Sequence, residues 1–189
     1  ILRDKSFAKM SLDDFKLVMD VHVMGAVHCT KAVWPLMQAQ NHGRVIMTTS
    51  SSGLYGNFGQ ANYGAAKMAL AGLMQTLSIE GEKHNIRVNC LAPTAATRMT
   101  EGLMPEAVLK ALDPSAVVPA MLVMASDDAP NRTIICAGAG SFEVAHITLV
   151  CIWARVPTRP NDWLPPCTPW PIVKAKRCPA QAQSKARWK

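Results

Sequence analysis

Several features that would point to a membrane, secreted or metal-binding protein are scarce here, and each scarcity excludes something. No uninterrupted apolar run reaches the ~20 residues that a membrane-spanning helix needs, so no span is expected. The opening Ile1-Leu2-Arg3-Asp4-Lys5 mixes charges of both signs and does not have the form of a secretory signal. The closing Arg187-Trp188-Lys189 is neither a peroxisomal nor an endoplasmic-reticulum address, which leaves the cytoplasm as the expectation. The six cysteines (Cys29, Cys90, Cys136, Cys151, Cys167 and Cys178) form no Cys-x-x-Cys pair, and no histidine stands at zinc-ligand spacing. No metal site is expected, and the first three cysteines read as small buried apolar residues. Excess positive charge is absent from most of the chain. Residues 1–150 hold 12 Lys+Arg and 12 Asp+Glu, and the whole net charge of +7 lies in residues 151–189. A neutral body argues against a nucleic-acid-binding fold. The basic end has neither an amphipathic pattern nor an aromatic-basic platform, so neither a membrane surface nor RNA is expected as a partner.

Two long helical patterns and three short apolar runs are present. Ser11 can cap a helix whose first turn carries Asp13 and Asp14. Phe15, Val18, Met19, His22, Val23, Ala26 and Val27 continue it at three- and four-residue spacing, to about Gln38. Pro35 marks a kink or the start of the last turn. Arg44 to Thr49 lacks alternation and suits a strand covered on both faces. Residues 50–62, rich in Ser, Gly and Asn, read as a loop. A second helix is expected from Tyr63 to about His84, then a strand from Ile86 to Leu91 stopped by Pro93. Shorter helices are expected over 101–112 and 114–126, and a third strand over Thr133–Ala137. Strands alternating with long helices predict an α/β fold with a parallel, doubly wound sheet. The glycine-rich turn that should follow the first strand of such a dinucleotide-binding sheet is not found.

From residue 150 the pattern dissolves. Residues 151–189 contain seven prolines and four of the five tryptophans, and no helical or strand period is sustained. The expected division is therefore 1–149 as one partial domain and 150–189 as an irregular basic tail. That tail reads either as a disordered extension or as a segment out of frame with the gene encoding 1–149.

One constellation carries chemistry. Tyr63 and Lys67 stand at i and i+4 on one helix face, and Ser50 lies 13 residues before Tyr63 at the end of a strand. A phenol titrates near 10, too high for a proton shuttle at neutral pH, and a neighbouring ammonium favours the phenolate. A drop of about 3 units corresponds to roughly 4 kcal/mol. A serine hydroxyl beside the phenol can hold the substrate oxygen for proton transfer. The Tyr-x-x-x-Lys pair alone is a weak signal. Ser50, the preceding strand and Gly53 and Gly56 make it specific.

The stretch Val45 to Lys67, VIMTTSSSGLYGNFGQANYGAAK, resembles the strand-loop-helix of the short-chain dehydrogenase/reductase family. The resemblance implies a Rossmann-type fold with NAD or NADP as cofactor. It implies Tyr63 as acid/base, Ser50 as the group that orients the carbonyl, and Lys67 as the residue that tunes Tyr63 and holds the nicotinamide ribose. Ile86 to Pro93 resembles the family's next strand, where a Pro-Gly sits beside the nicotinamide. Here Pro93-Thr94 stands in its place, and Thr97 falls where the family often has a hydroxyl near the cofactor. His22 replaces an asparagine that anchors a relay water, a role that either a ring nitrogen of His22 fills or that is lost to a buried structural histidine.

Asp20 to Gly25, Tyr55 to Asn62, Ile79-Glu80-Gly81 and Arg98-Met99-Thr100 are similar to the (3R)-3-hydroxyacyl-CoA dehydrogenase group, the type found in multifunctional enzyme type 2. That likeness implies 3-hydroxyacyl- and 3-oxoacyl-thioesters as substrate and product, and a homo-oligomer at full length. By the same likeness Ile1 follows the family's Asn-Asn-Ala-Gly segment, so the first strands of the sheet and the glycine-rich turn are expected upstream of it. Asn57 to Asn62 also resembles ketoacyl-carrier-protein reductases, which keeps the acyl carrier protein open as carrier. The alternatives are a dehydrogenase of another alcohol, such as a steroid or a sugar, and a non-catalytic fragment.

Overall fold

The computed structural model describes residues 1–97 and 105–148. Residues Ile1–His146 form one compact unit. The expected tail, Arg98-Met99-Thr100 and the start of the helix expected over 101–112 lie outside the described residues.

The first helical pattern folds as α1 (Leu12–Met19), a π-turn (Asp20–Met24) and α2 (Gly25–Ala39), continuous because the junction residues keep right-handed helical angles. Ser11 caps it as expected, its Oγ accepting from the Asp14 N–H at 3.1 Å. Pro35 lies inside α2, just before its last turn, and Met37 behind it is buried. Strand β1 is Gly43–Thr48. The expected loop holds a five-residue helix, α3 (Ser51–Tyr55), because Ser50 caps it by accepting from the Ser52 N–H at 3.2 Å. Next come α4 (Ala61–Gly81), β2 (Ile86–Thr94), α5 (Glu106–Ala111), α6 (Val118–Ala125), β3 (Ile134–Gly138) and β4 (Ser141–Ala145).

The sheet order is β1-β2-β3-β4, the first three strands parallel and the fourth antiparallel. Two corrections to the sequence reading follow. Pro93 does not stop β2. Leu91 turns its carbonyl toward β1, where it accepts from the Thr49 N–H at 2.8 Å, so Pro93, two residues on, turns its nitrogen to the same side. There β1 has already ended, and the missing N–H leaves no ladder bond unmade. The fourth strand was not expected at all. It returns through Ala139 and Gly140, both with positive φ (49° and 75°), the two-residue turn that suits a hairpin.

Helices cover both faces of the sheet. Val45, Met47, Ile86, Val88 and Cys90 pack with Leu70, Ala71, Met74 and Met37 of α4 and α2. Ile46, Leu91, Ile135 and Ala137 pack with Ala120 and Met124 of α6. β1 is therefore covered on both faces, which explains its unbroken apolar run. Cys90 is buried and Cys136 partly so, but Cys29 is exposed on α2, against expectation. Among the described residues no helix is long and apolar enough to cross a membrane.

Candidate active site

The site forms where β1 ends. Thr48 pairs with Leu91, so Thr94 lies three residues farther along β2, at the carboxyl edge of the parallel strands. Open α/β sheets use this edge for chemistry. Ser50 leaves the end of β1 and Tyr63 and Lys67 lie in the first turns of α4. Two close approaches bring these elements together. A Cβ added at Gly53 would come within 2.8 Å of the Lys67 Cβ, and one at Gly64 within 3.1 Å of the Ser52 carbonyl oxygen. The glycines of the motif thus let α3 lie directly on α4, which seats Ser50 beside Tyr63.

The Ser50 hydroxyl lies near enough to the Tyr63 phenol to favour its ionised form. Lys67 is buried, and its Nζ donates to the Thr48 carbonyl oxygen at 2.8 Å while lying 5.5 Å from the Tyr63 ring centre. Thr49, buried too, donates from Oγ1 to the Lys67 carbonyl oxygen at 2.7 Å. Lys67 is therefore fixed at both ends by consecutive residues of β1 and its exit. The Tyr63 phenol has a pKa above its ordinary value. Burial is the main cause, opposed by the Ser50 hydroxyl and reinforced by the Asp4 carboxylate. This corrects the expected direction: with the Lys67 ammonium drawn to Thr48, desolvation of the phenolate wins. Burial also lowers the Lys67 pKa. Cys90, below Lys67, is pushed up to about 12 by burial, so it remains a thiol.

His22 stands in the π-turn with its ring nearly perpendicular to that of Tyr63, the centroids 5.3 Å apart at 85°. Its Nε2 bonds the Ile1 carbonyl oxygen at 2.9 Å. Burial lowers its pKa; the bond to Ile1 opposes that, and the Lys67 charge adds to it. Ser50, Tyr63, Lys67 and His22 are thus brought together. Pro93 and Thr94 lie at the end of β2 and Thr97 just beyond, Thr94 and Thr97 exposed.

Three groups around Tyr63 escaped the sequence reading. In the sequence Thr49 is only the last residue of a strand pattern. Asn62 is fully buried, its Oδ1 accepting from the Tyr63 N–H at 2.7 Å and its Nδ2 donating to the Arg3 carbonyl oxygen at 3.1 Å. Asp4 comes from 59 residues upstream of Tyr63, and its Oδ2 accepts from Gln60 Nε2 at 2.8 Å. The available signal for Asn62 is a polar residue directly before the tyrosine.

Known proteins similar to this chain show its family. Residues 1–107 match the family model described as short chain dehydrogenase. A short-chain type dehydrogenase/reductase of Mycobacterium tuberculosis is 46% identical over 144 residues, 76% of this chain and 50% of that protein. The peroxisomal multifunctional enzyme type 2 of Drosophila melanogaster is 48% identical over 148 residues, 78% of this chain and 25% of that protein. The solved structure of that full-length fly enzyme aligns with a TM-score of 0.76 and 36% identity, covering 96% of this chain and 34% of that one. The chain thus spans half or less of the length of these curated relatives.

Proposed function

The chain belongs to the short-chain dehydrogenase family, and from that premise we propose that it carries the catalytic half of an oxidoreductase moving a hydride between NAD or NADP and a secondary alcohol or ketone. The substrate we propose is a 3-hydroxyacyl-CoA, with the 3-oxoacyl-CoA as product. The observation that carries the reaction is the meeting of Ser50, Tyr63 and Lys67 at the carboxyl edge of the parallel strands. The substrate class rests on likeness to the multifunctional enzymes, one of which, from Saccharomyces cerevisiae, is named a hydratase-dehydrogenase-epimerase and is 49% identical over 143 residues.

In this reading Ser50 donates to the substrate oxygen and Tyr63 exchanges a proton with it. A phenol above its ordinary pKa is protonated at neutral pH, the form that gives a proton to a carbonyl. The donor set of Lys67 fits a ribose diol, because its ammonium has three N–H bonds and spends one on Thr48. Pro93, Thr94 and Thr97 would line the nicotinamide end. A bound NAD or NADP supplies the hydride donor or acceptor and, when oxidised, a positive charge that favours the Tyr63 phenolate. His22 has Nε2 committed to Ile1, so only its Nδ1 is left to hold a relay water.

The assay is turnover of 3-oxoacyl-CoA with NADH or NADPH, followed by cofactor absorbance. Reduction to the 3-hydroxyacyl thioester supports the reading. Turnover of steroid or sugar ketones alone would keep the reaction and replace the substrate. A second reading, a non-catalytic fragment, is favoured by one observation: β1 is an edge strand of the four-stranded sheet, and its side chains Val45 and Ile46 are only partly buried. It predicts no turnover by this chain and cofactor binding no tighter than about millimolar.

For partners, we propose a homo-oligomer of the longer protein, since Val33, Leu36 and Ile79 of α2 and α4 are exposed. The compartment we propose is the cytoplasm. Because the fly and yeast relatives are named peroxisomal, imaging of the tagged protein against a peroxisomal marker is the test.

A further inference from the structure

Residues 1–5 give a main-chain group to the site at every second position. The Ile1 carbonyl accepts from His22 Nε2 at 2.9 Å, the Arg3 carbonyl accepts from Asn62 Nδ2 at 3.1 Å, and the Lys5 N–H donates to the Gly59 carbonyl at 2.9 Å. That alternation is the period of an extended segment presenting one edge. Between these anchors Asp4 is held by Gln60. The Arg3 and Lys5 side chains reach Asp14 of α1, at 3.6 and 3.5 Å.

Asn62 is the anchor that also grips Tyr63. Its Oδ1 takes the Tyr63 N–H, a first-turn donor of α4 that Gln60, preceding the helix, does not cap with its side chain. Its Nδ2 takes the Arg3 carbonyl. A side chain that served only as a helix cap would need the oxygen alone. Asn62 uses both halves of its amide, and it does so fully buried, where an amide half left unpaired would be costly.

We propose that Asn62 is a positioning residue that couples the segment Ile1–Lys5 to the backbone of Tyr63, so that Asp4 and the covering chain keep a fixed place beside the phenol. The proposal deepens the reading of Tyr63 as acid/base and rests on it for its catalytic meaning, but the coupling itself is open to measurement without turnover.

Asn62→Asp separates coupling from capping by sign. It keeps an acceptor for the Tyr63 N–H and adds a negative charge near a helix start, so a mere cap would be as good or better. In the coupled arrangement it sets an oxygen against the Arg3 carbonyl, and the segment is released. Amide hydrogen exchange on the full chain reads this. Exchange at Lys5 is expected to speed up by about tenfold or more, while Ala71, deeper in α4, is unchanged. Unchanged exchange at Lys5 overturns the proposal. Should Asn62→Asp not fold, Asn62→Ser gives the same reading, because its hydroxyl can serve the Tyr63 N–H but is too short to reach Arg3.

A second measurement tests the link to the phenol. The chain has two tyrosines, so in a Tyr55→Phe background the phenolate absorbance reports Tyr63 alone. The groups around it are Ser50, Lys67, His22 and Asp4. Asn62→Ser is expected to move the Tyr63 midpoint down as the covering segment and the Asp4 carboxylate recede. An unmoved midpoint overturns the link. In an active form of the protein, Asn62→Ser should lower kcat more than it changes KM. If Tyr63→Phe proves active while the exchange and titration results hold, the acid/base reading fails and the coupling stands.

Discussion

The two ends of the parallel strands are built from similar polar groups and use them differently. At the amino end those groups are committed to structure. Arg44 donates to four carbonyl oxygens, those of Gly43, Asn85, Ser126 and Asp127, at 2.8–2.9 Å. Asn89 joins β2 to Pro130 and Thr133, and Asn131 joins Val88 to Ser78. Among the described residues the exception is the Nε of Arg87, buried without a hydrogen-bond partner. At the carboxyl edge Lys67 spends one N–H on Thr48 among the described residues, Thr94 is exposed, and the Ser50 and Tyr63 hydroxyls lie near each other in a half-open position. Saturated polar groups hold a fold together; unsaturated ones are free to meet a substrate. Stability and chemistry should therefore respond to different substitutions.

The largest effect is expected from Tyr63→Phe. In an active form of the protein kcat should fall by about 10²–10⁴-fold, the usual worth of a general acid/base, while the denaturation midpoint hardly moves at neutral pH. The same variant should change the alkaline limb of stability. The Tyr63 pKa is raised in the folded chain, so its contribution is present below the ordinary value of 10.0 and is lost as pH rises through the folded value. Urea melts above pH 10.0 should show that loss in the parent and not in Tyr63→Phe. A variant keeping more than about a tenth of kcat would contradict the assignment.

Arg44→Met tests the other end. Losing the carbonyl clamp should cost about 2 kcal/mol, read as a lower urea midpoint, with kcat unchanged. A large drop in kcat at unchanged stability would mean that the two ends are not separate. Thr49→Val lies between the two cases. It removes a buried hydroxyl bonded to the Lys67 carbonyl at nearly constant volume, for about 1 kcal/mol and a few-fold loss of kcat. The smallest effect should come from His22→Asn. The folded pKa of His22 is lowered, so its contribution is present above the ordinary 6.5 and is lost as pH falls through the folded value. The variant should flatten the acid limb of stability below pH 6.5 and leave the neutral region alone.

Much of this arrangement was legible because it is local. The Ser11 cap, the spacing of Ser50, Tyr63 and Lys67, and the apolar runs of β1, β2 and β3 all follow from short-range rules. What was not legible depends on distant partners. Pro93 continues β2 because β1 ends at Thr48, a fact of register. The strand Ser141–Ala145 is mostly exposed and is entered through Ala139 at positive φ, a position where glycine would have been the signal. Residues 51–55 become helical because Gly53 and Gly64 let them rest on α4. The direction of the Tyr63 pKa was misjudged because spacing gives the distance to an ammonium but not the burial around a phenol.

The π-turn at Asp20–Met24 sets the angular phase of everything after it. An α-helix advances by about 100° per residue, so Val18 and Met37, 19 residues apart, would point roughly 100° away from each other on an uninterrupted helix. A π-turn absorbs one residue and cancels that offset, which lets both side chains be buried on one continuous helix. Removing one residue from this turn would leave the packing of α2 nearly undisturbed. The extra residue that sets the phase of α2 therefore sits in the turn that carries His22 to Tyr63.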